Sequence, residues 1–351
     1  MTVVSKKSIL SSARGERPWR YPLWFLRQAG RYLPEYRALR AEHSFLELCS
    51  NPRLAAEVTL QPLKRFDLDG AIIFSDILVI PHMLGQELSF GPGEGPQLSP
   101  AIRDRSALRR LNPPKMTGLL ASTAAAIRLV RPQLADHQTM IGFAGAPATV
   151  ACYMIEGQGS SSFSAVKELL YTDPGCFSEL LDLIMEATFS YLCLQVEAGA
   201  EIVMLFDSWA GQFSTRDYKA LVAPATQTLL KRLKEAQIPV IFYPGQGCHT
   251  YATAGEFGAE VLAIDWRFSL SSAAQFLQKS SLLPTLQGNL DPLLLSFGDE
   301  SQVRAAVRAL MDEARTLSLP GHIFNVGHGL TPTTRIEALN WAIAEIRTSS
   351  V

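Results

Sequence analysis

Short apolar segments that alternate with helical patterns recur along the 351-residue chain, and this alternation most constrains its fold. About eight such segments can be read, at 22–26, 70–80, 139–147, 201–207, 238–245, 261–266, 285–290 and 322–327. Eight strand and helix units in a chain of this length predict one (β/α)8 barrel, an α/β fold with a closed inner sheet of parallel strands.

An open, doubly wound sheet is the alternative for the same alternation. No G-x-G-x-x-G motif follows the first strand, and the glycines at 91, 93 and 95 do not lead into a helix, so this alternative loses ground. The sequence shows no internal repeat, low-complexity tract or linker. We therefore predict a single catalytic domain over 1–351, with 1–20 as a leader segment that packs on the barrel.

Prolines and glycines mark several boundaries. Asn51 and Pro52 suit the N-cap and first position of a helix over 51–66, and Pro62 is expected to kink or end that helix. Residues 81–100 are rich in glycine and proline, which predicts a long loop that forms a lid or a wall.

Charge and cysteine usage exclude several classes of protein. The formal net charge is −1, so no global field attracts nucleic acid or an anionic membrane. No apolar run reaches the ~18 residues that a membrane span needs. Five cysteines without a C-x-x-C pair argue against a disulfide framework and fit a reducing compartment. We expect a cytoplasmic protein, although the basic N-terminus leaves a short transit peptide open.

The active face of a barrel lies at the C-terminal ends of its strands. Polar residues follow five of the predicted strands there, namely Arg27, Arg31, Asp76, Tyr153, Asp207, Ser208 and His328. Their convergence predicts one mouth that holds two cations and two carboxylates.

Each of these residue types has a chemical and a structural interpretation. Two arginines four positions apart can clamp an anion, or they can form structural ion pairs in a solvated loop. A carboxylate inside the apolar run around Asp76 must be paired, hydrogen-bonded or protonated, and it can equally cap a helix. His328, between two glycines, can contact a ligand or orient a loop, and Tyr153 can be a core aromatic residue.

Several longer motifs resemble those of the uroporphyrinogen decarboxylases. The run RQAGRYLPEYR at 27–37 resembles the N-terminal signature of this family, and GFAGAPATVACYMIEGQGSS at 142–161 resembles the second signature. Further similar blocks are FSDIL at 74–78, LFDSWAG at 205–211, LQGNLDP at 286–292 and NVGHGL at 325–330. The resemblance extends from about Pro22 to about Thr334. Ala148 departs from it, because a large aromatic residue is usual at that position.

The resemblance implies a role for each matched residue. Arg27, Arg31 and Arg40 would bind acidic side chains of the substrate, and Asp76 would accept hydrogen bonds from pyrrole N–H groups. Asp76, Tyr153 and Arg27 would be the catalytic residues. The other implied binding residues are the polar Ser208 and His328, the backbone of Gln28 and Ala29, and an apolar wall of Leu26, Ile72, Phe74, Phe143 and Phe206.

The resemblance also implies the reaction. This family removes the carboxyl group from each of the four acetate arms of uroporphyrinogen III, giving coproporphyrinogen III and four CO₂, without a metal or prosthetic group. It also implies a homodimer with a small-molecule tetrapyrrole as substrate. The proton donor and the order of the four steps stay open.

Two other functions fit a related barrel. A corrinoid or thiol methyltransferase would hold zinc through an H-x-C pair and a further cysteine, but Gln246 stands two residues before Cys248 and NVGHGL contains no cysteine. A tetrapyrrole-binding protein without turnover would keep the cleft, and retention of Asp76 and both arginines argues against it. We predict no metal site.

Overall fold

The chain is built around a seven-stranded parallel sheet. The computed structural model describes residues 6–90, 95–112, 118–277 and 283–348. All strands except β2 and β3 form one sheet in the order β1-β4-β5-β6-β7-β8-β9, and every neighbouring pair in it is parallel. The strands are β1 (Gly70–Ile72), β2 (Glu87–Phe90), β3 (Pro96–Ser99), β4 (Thr139–Gly145), β5 (Ile202–Asp207), β6 (Val240–Pro244), β7 (Val261–Ala263), β8 (Thr285–Leu290) and β9 (His322–Val326).

Helices connect the strands and cover the sheet. They are α1 (Ser8–Ala13), α2 (Pro34–Glu42), α3 (Phe45–Ser50), α4 (Pro52–Arg65), α5 (Val79–Met83), α6 (Arg105–Leu108), α7 (Leu119–Val130), α8 (Pro147–Glu156), α9 (Ser164–Thr172), α10 (Pro174–Glu197), α11 (Thr215–Asp217), α12 (Ala223–Glu235), α13 (Tyr251–Gly255), α14 (Leu270–Leu277), α15 (Leu294–Phe297), α16 (Glu300–Thr316) and α17 (Ile336–Thr348). A π-helical turn at Tyr218–Val222 joins α11 to α12. This alternation confirms the predicted α/β barrel class.

The first predicted strand, 22–26, is not a regular strand, and that expectation is corrected. Phe324 N, in β9, donates to Pro22 O (2.9 Å), and Asp69 N, just before β1, donates to Leu23 O (2.8 Å). The segment therefore lies between β1 and β9 and bridges the two outer strands of the sheet. It cannot form a full ladder, because Pro22 has no N–H and Leu23 N donates instead to Asp69 Oδ2 (2.8 Å).

The second predicted strand, 70–80, is also shorter than expected. β1 ends at Ile72, and α5 begins at Val79. The chain turns between them because the Asp76 carboxylate accepts a hydrogen bond from Leu78 N (2.7 Å). A continuous apolar run does not distinguish a strand from a short buried helix, so the sequence pattern could not show this turn.

The proline signals predicted the start of α4 correctly, but Pro62 does not end the helix. Asn51 caps the helix, its Oδ1 accepting from Arg53 N (3.0 Å), and Pro52 occupies its first position. Pro62 lies inside the helix, which continues to Arg65. The predicted loop at 81–100 contains α5 and the antiparallel hairpin of β2 and β3, while residues 91–94 lie outside the described part.

The leader segment contacts the N-terminal ends of the barrel strands. Ile9 of α1 is fully buried, and Lys7 Nζ lies 2.6 Å from Glu201 Oε2, just before β5. Thr285, at the start of β8, donates to Ser12 O (2.5 Å). Among the described residues, we find no helix with the length and apolarity to cross a bilayer.

His322, at the start of β9, is expected to make stability depend on pH. Its Nε2 lies 2.8 Å from Gly288 O and its Nδ1 lies 2.6 Å from Tyr21 Oη, so a neutral ring that donates from Nε2 satisfies both contacts. Burial lowers its pKa from 6.5 to about 4. On acidification, the histidine therefore takes up a proton at a higher pH in the unfolded chain than in the folded protein. Up to ~3 kcal/mol of the free energy of unfolding is lost between pH 6.5 and 4 for this reason.

Thermal unfolding followed by circular dichroism from pH 7 to pH 4.5 measures this effect. His322→Gln keeps one donor and one acceptor without a titrating ring, so its melting temperature is expected to fall less steeply with acidification than that of the wild type. Equal slopes for the two proteins would contradict the assignment.

Candidate active site

A cavity of about 530 Å³ opens at the C-terminal ends of the barrel strands. This volume lies in the range typical of small-molecule sites. The predicted site residues that line it are Leu26, Arg27, Gln28, Ala29, Arg31, Ile72, Phe74, Asp76, Phe143, Tyr153, Phe206, Ser208 and His328. Residues that sequence reasoning missed also line it, among them Tyr32, Tyr36, Phe45, Ser75, Phe90 and Tyr243.

Asp76 carries the one carboxylate among the described residues that line the cavity. Its Oδ1 accepts from Leu78 N (2.7 Å), and no other hydrogen bond to the carboxylate occurs within the described ranges. Burial raises its pKa although part of the side chain opens to the cavity, while the Leu78 N–H and the nearby Arg27 guanidinium oppose this shift. Donors on a bound ligand would therefore favour its ionised form.

Arg27 is placed by a strained turn and by a glycine. Its φ is 58°, in the left-handed region that few non-glycine residues adopt. A Cβ atom at Gly329 would lie only 2.3 Å from Arg27 Cδ, so the arginine side chain needs a glycine there. Buried Gln28 anchors the turn, because its Nε2 donates to Gly70 O (2.9 Å) and its Oε1 accepts from Phe25 N (3.2 Å).

The two predicted clamp arginines are not neutralised by the protein. Both side chains are exposed at the cavity, and in the described part of the chain neither Arg27 nor Arg31 has a carboxylate within 4.0 Å. Arg37 differs, because it donates to Arg31 O (2.9 Å) and Tyr32 O (2.9 Å) and so holds the loop. The structure therefore favours an anion clamp over structural ion pairs.

Neutral polar groups complete the cavity wall. Burial and the positive charge of Arg27 lower the pKa of His328, so its imidazole is neutral near pH 7. Burial raises the pKa of Tyr153, whose ring lies 6.0 Å from that of Trp209. Tyr243, at the end of β6, donates to Gly327 O (3.0 Å) and so holds the loop that carries His328.

Asp207 does not join this site, and the expectation of two carboxylates at the mouth was wrong. The side chain is fully buried, with Oδ1 2.8 Å from Thr149 Oγ1 and Oδ2 3.2 Å from Tyr218 Oη. Burial raises its pKa to about 6, and the two hydroxyl donors oppose the rise. Side chains alternate along a strand, so Asp207 points away from the cavity that Phe206 lines.

Arg40 is not among the lining residues. It lies at the end of α2, where its Nη1 donates to His43 O, and it approaches the hydroxyl of Tyr36, whose side chain lines the cavity. Its role in substrate binding stays a prediction. Elsewhere the cavity wall is aromatic, since the ring centroids of its lining residues Phe45 and Phe90 lie 4.9 Å apart.

The described residues contain no group of three His, Cys, Asp or Glu side chains close enough to hold a metal ion. The side chain of Cys248 lies outside the described part. Its neighbour His249 uses Nε2 for a hydrogen bond with Phe213 O (2.8 Å). The described side chains thus offer no set of the three or four ligands that a zinc site uses.

Comparison with known proteins identifies the family. The sequence profile described as uroporphyrinogen decarboxylase matches residues 4–349. The chain belongs to the uroporphyrinogen decarboxylase family. The resemblance read from residues 27–37 and the later motifs is thereby confirmed.

Individual family members match over nearly their full length. A uroporphyrinogen decarboxylase from Sphingopyxis alaskensis is 44% identical over 349 residues, covering 98% of each chain. One from Rhizorhabdus wittichii is 43% identical and one from Gluconobacter oxydans 39% identical, each covering 97% of both chains.

Solved structures share the fold of this family member. A methyltransferase from Methanosarcina mazei superposes with a TM-score of 0.82 over 98% of each chain at 19% identity. A B12-independent methionine synthase from Shewanella gives a TM-score of 0.57 at 10% identity, covering 94% of this chain and 95% of its own. At such low identity, these similarities show the fold alone.

Proposed function

We propose that this chain is a uroporphyrinogen decarboxylase, a carboxy-lyase that converts uroporphyrinogen III to coproporphyrinogen III and four CO₂. The observation that carries the proposal is the charge arrangement of the cavity. Among the described residues, Asp76 is the one carboxylate that lines it, together with the guanidiniums of Arg27 and Arg31, which have no carboxylate of that set within 4.0 Å. A ring of pyrrole N–H groups that bears carboxylate arms complements this arrangement.

The substrate provides its own electron sink. Protonation of a pyrrole at the ring carbon next to the one that bears the acetate arm gives a cation, and cleavage of the arm's C–CO₂ bond returns two electrons to that cation as an exocyclic C=CH₂ double bond. The exocyclic CH₂ group then takes up a proton while the neighbouring, protonated ring carbon loses one, which restores the pyrrole and leaves a methyl group. Each step consumes one proton and releases one CO₂, so the protein must bind, orient and stabilise developing positive charge.

Asp76 is the group suited to that task. The carboxylate oxygen that does not accept from Leu78 N would accept from pyrrole N–H donors. A carboxylate held in a buried site stabilises a nearby cation more strongly than a carboxylate in water does. The arginines bind carboxylate arms through the planar donors of their guanidinium groups. Tyr153, Ser208 and His328 add hydrogen bonds to the arms or to Asp76.

The apolar wall fits the body of the macrocycle. Phe143 and Phe206 lie edge to face, with ring centroids 5.6 Å apart, and both line the cavity together with Leu26, Ile72 and Phe74. Aromatic edges and faces of this kind pack well against pyrrole rings.

An anaerobic assay tests the proposed function. Purified protein is incubated with uroporphyrinogen III, and the products are oxidised and separated by the number of carboxyl groups. We expect species with seven, six, five and finally four carboxyls to form in turn, with the release of CO₂. Tight binding of the substrate without loss of any carboxyl would indicate a tetrapyrrole-binding protein instead.

Arg31→Ala is expected to raise KM for uroporphyrinogen III about tenfold while kcat changes less. The reason is that the guanidinium binds an arm in both the ground state and the transition state, unless that arm is the reacting one. Arg53→Ala is the control, because Arg53 is exposed on α4 and does not line the cavity. An equal rise in KM for both variants would contradict the clamp.

The proposal also includes a single catalytic domain, a homodimer and a cytoplasmic location. Cys49, Cys152, Cys176 and Cys193 are free thiols, which supports a reducing compartment. Sedimentation equilibrium at micromolar concentration tests the dimer: a mass near twice 38.5 kDa is expected, and a mass of 38.5 kDa would contradict it.

A further inference from the structure

The turn that carries Asp76 into the cavity lies beyond the point where β1 pairs with β4. Ile73 N makes the last backbone hydrogen bond to β4, at Ile141 O (3.0 Å). Beyond it, Phe74 N donates to the side chain of Thr59 in α4 (2.9 Å) rather than to a strand. Hydroxyl groups of the surrounding helices thus replace the sheet as the support of this turn.

Ser75 continues the same arrangement one residue before Asp76. Its Oγ lies 3.1 Å from Thr123 Oγ1 in α7 and 3.4 Å from Tyr191 Oη in α10. These three side chains form a hydroxyl chain. The direction of its hydrogen bonds is set at Thr123, because the Thr123 hydroxyl donates its proton to Leu119 O (3.2 Å). Ser75 therefore donates to Thr123, and Tyr191 donates to Ser75.

The hydroxyl chain is enclosed by protein on the side away from the cavity. Tyr191 and Thr123 are each only 1% exposed, whereas Ser75 lines the cavity. Burial raises the pKa of Tyr191 to about 12, which keeps its hydroxyl protonated and able to donate near neutral pH. The loss of one hydroxyl would leave a buried partner unsatisfied, so the chain holds a single geometry.

We propose that Ser75, Thr123 and Tyr191 are positioning residues that fix Asp76 against the reacting pyrrole ring. This inference rests on the proposed decarboxylase function. The Leu78 N–H fixes one oxygen of the carboxylate, and the hydroxyl chain fixes the backbone from which the carboxylate projects. A displacement of a catalytic group by about 1 Å can cost ~10²-fold in rate. We therefore expect the hydroxyl chain to affect kcat more than substrate binding.

Variants of Thr123 separate positioning from packing. Thr123→Val has nearly the same shape but no hydroxyl, whereas Thr123→Ser keeps the hydroxyl and loses the methyl group. We expect kcat for uroporphyrinogen III to fall about tenfold in Thr123→Val with KM changed less than twofold, and to return close to the wild-type value in Thr123→Ser. Tyr191→Phe is expected to behave like Thr123→Val.

Tyr21→Phe is the matched control. Tyr21 is also buried and also makes one side-chain hydrogen bond, to His322, but it lies at the opposite end of the barrel. This variant is expected to lose thermal stability and to keep its kcat. A fall in kcat there as large as that in Tyr191→Phe would assign the effect to general loosening and overturn the inference.

The remaining outcomes are also decisive. Unchanged kcat in both Thr123→Val and Tyr191→Phe would overturn the inference, as would an equal loss in Thr123→Ser and Thr123→Val. If the wild-type protein removes no carboxyl from uroporphyrinogen III, the proposed function itself fails. That result is distinct from the others, because all of them require an active wild type.

Discussion

Replacement of Asp76 by asparagine is expected to reduce kcat for uroporphyrinogen III by about 10³-fold while the barrel stays folded. The amide keeps the shape of the side chain and can still accept from Leu78 N, but it presents no negative charge to the pyrrole cation. Loss of one preorganised electrostatic contact in a buried site typically costs 10²- to 10³-fold. The described cavity wall contains no second carboxylate that could take over the role of Asp76.

Anaerobic turnover measurements on Asp76→Asn and Asp182→Asn check this expectation. Asp182 is an exposed carboxylate on the outer side of α10 and does not line the cavity, so its variant should retain wild-type kcat. Circular dichroism confirms that both variants fold. Turnover in Asp76→Asn within threefold of the wild type would remove Asp76 from the mechanism.

Gly329→Ala is expected to lower kcat/KM by about 10²-fold although it adds a single methyl group. That methyl group would lie 2.3 Å from Cδ and 2.7 Å from Cγ of Arg27, so the arginine side chain must leave its position. The backbone at Gly329 does not have a positive φ, so an alanine there is not strained in itself. The effect therefore comes from the displaced guanidinium.

A double-mutant cycle tests that cause. In an Arg27→Ala background the clash is gone, so Gly329→Ala should cost little further activity. Gly159→Ala is the control, because a Cβ atom there would meet nothing within 4 Å. Equal losses from Gly329→Ala with and without Arg27 would show that the glycine serves another purpose.

The barrel class was predictable because a short apolar run in the local sequence marks most of the barrel strands. The segment 285–290, for example, forms β8 at the predicted boundaries. The two strand predictions that failed, 22–26 and 70–80, have causes that an apolar pattern does not record. Pro22 prevents a full ladder between β9 and β1, and the Asp76 side chain turns the chain after β1. An apolar run alone carries no information about either contact.

The site was predictable where a charged residue interrupts an apolar run at a strand end, as at Asp76. Tyr243 and Phe45 were missed because aromatic residues in apolar segments are typical of a core as well as of a cavity. Asp207 was misplaced although the alternation rule was available: with Phe206 facing the cavity, the next residue of the strand must face away. The Ser75 hydroxyl chain joins three distant segments, so only the folded structure could show it.

The most direct test of the central claim is a crystal structure of the wild-type protein with coproporphyrinogen III, prepared without oxygen. The claim is that one carboxylate at the base of a cationic cavity stabilises the protonated pyrrole. We predict that Asp76 carboxylate oxygens lie within about 3.2 Å of pyrrole nitrogens, with Arg27 and Arg31 on the propionate arms. A product bound with its nitrogens turned away from Asp76, or outside this cavity, would contradict the claim.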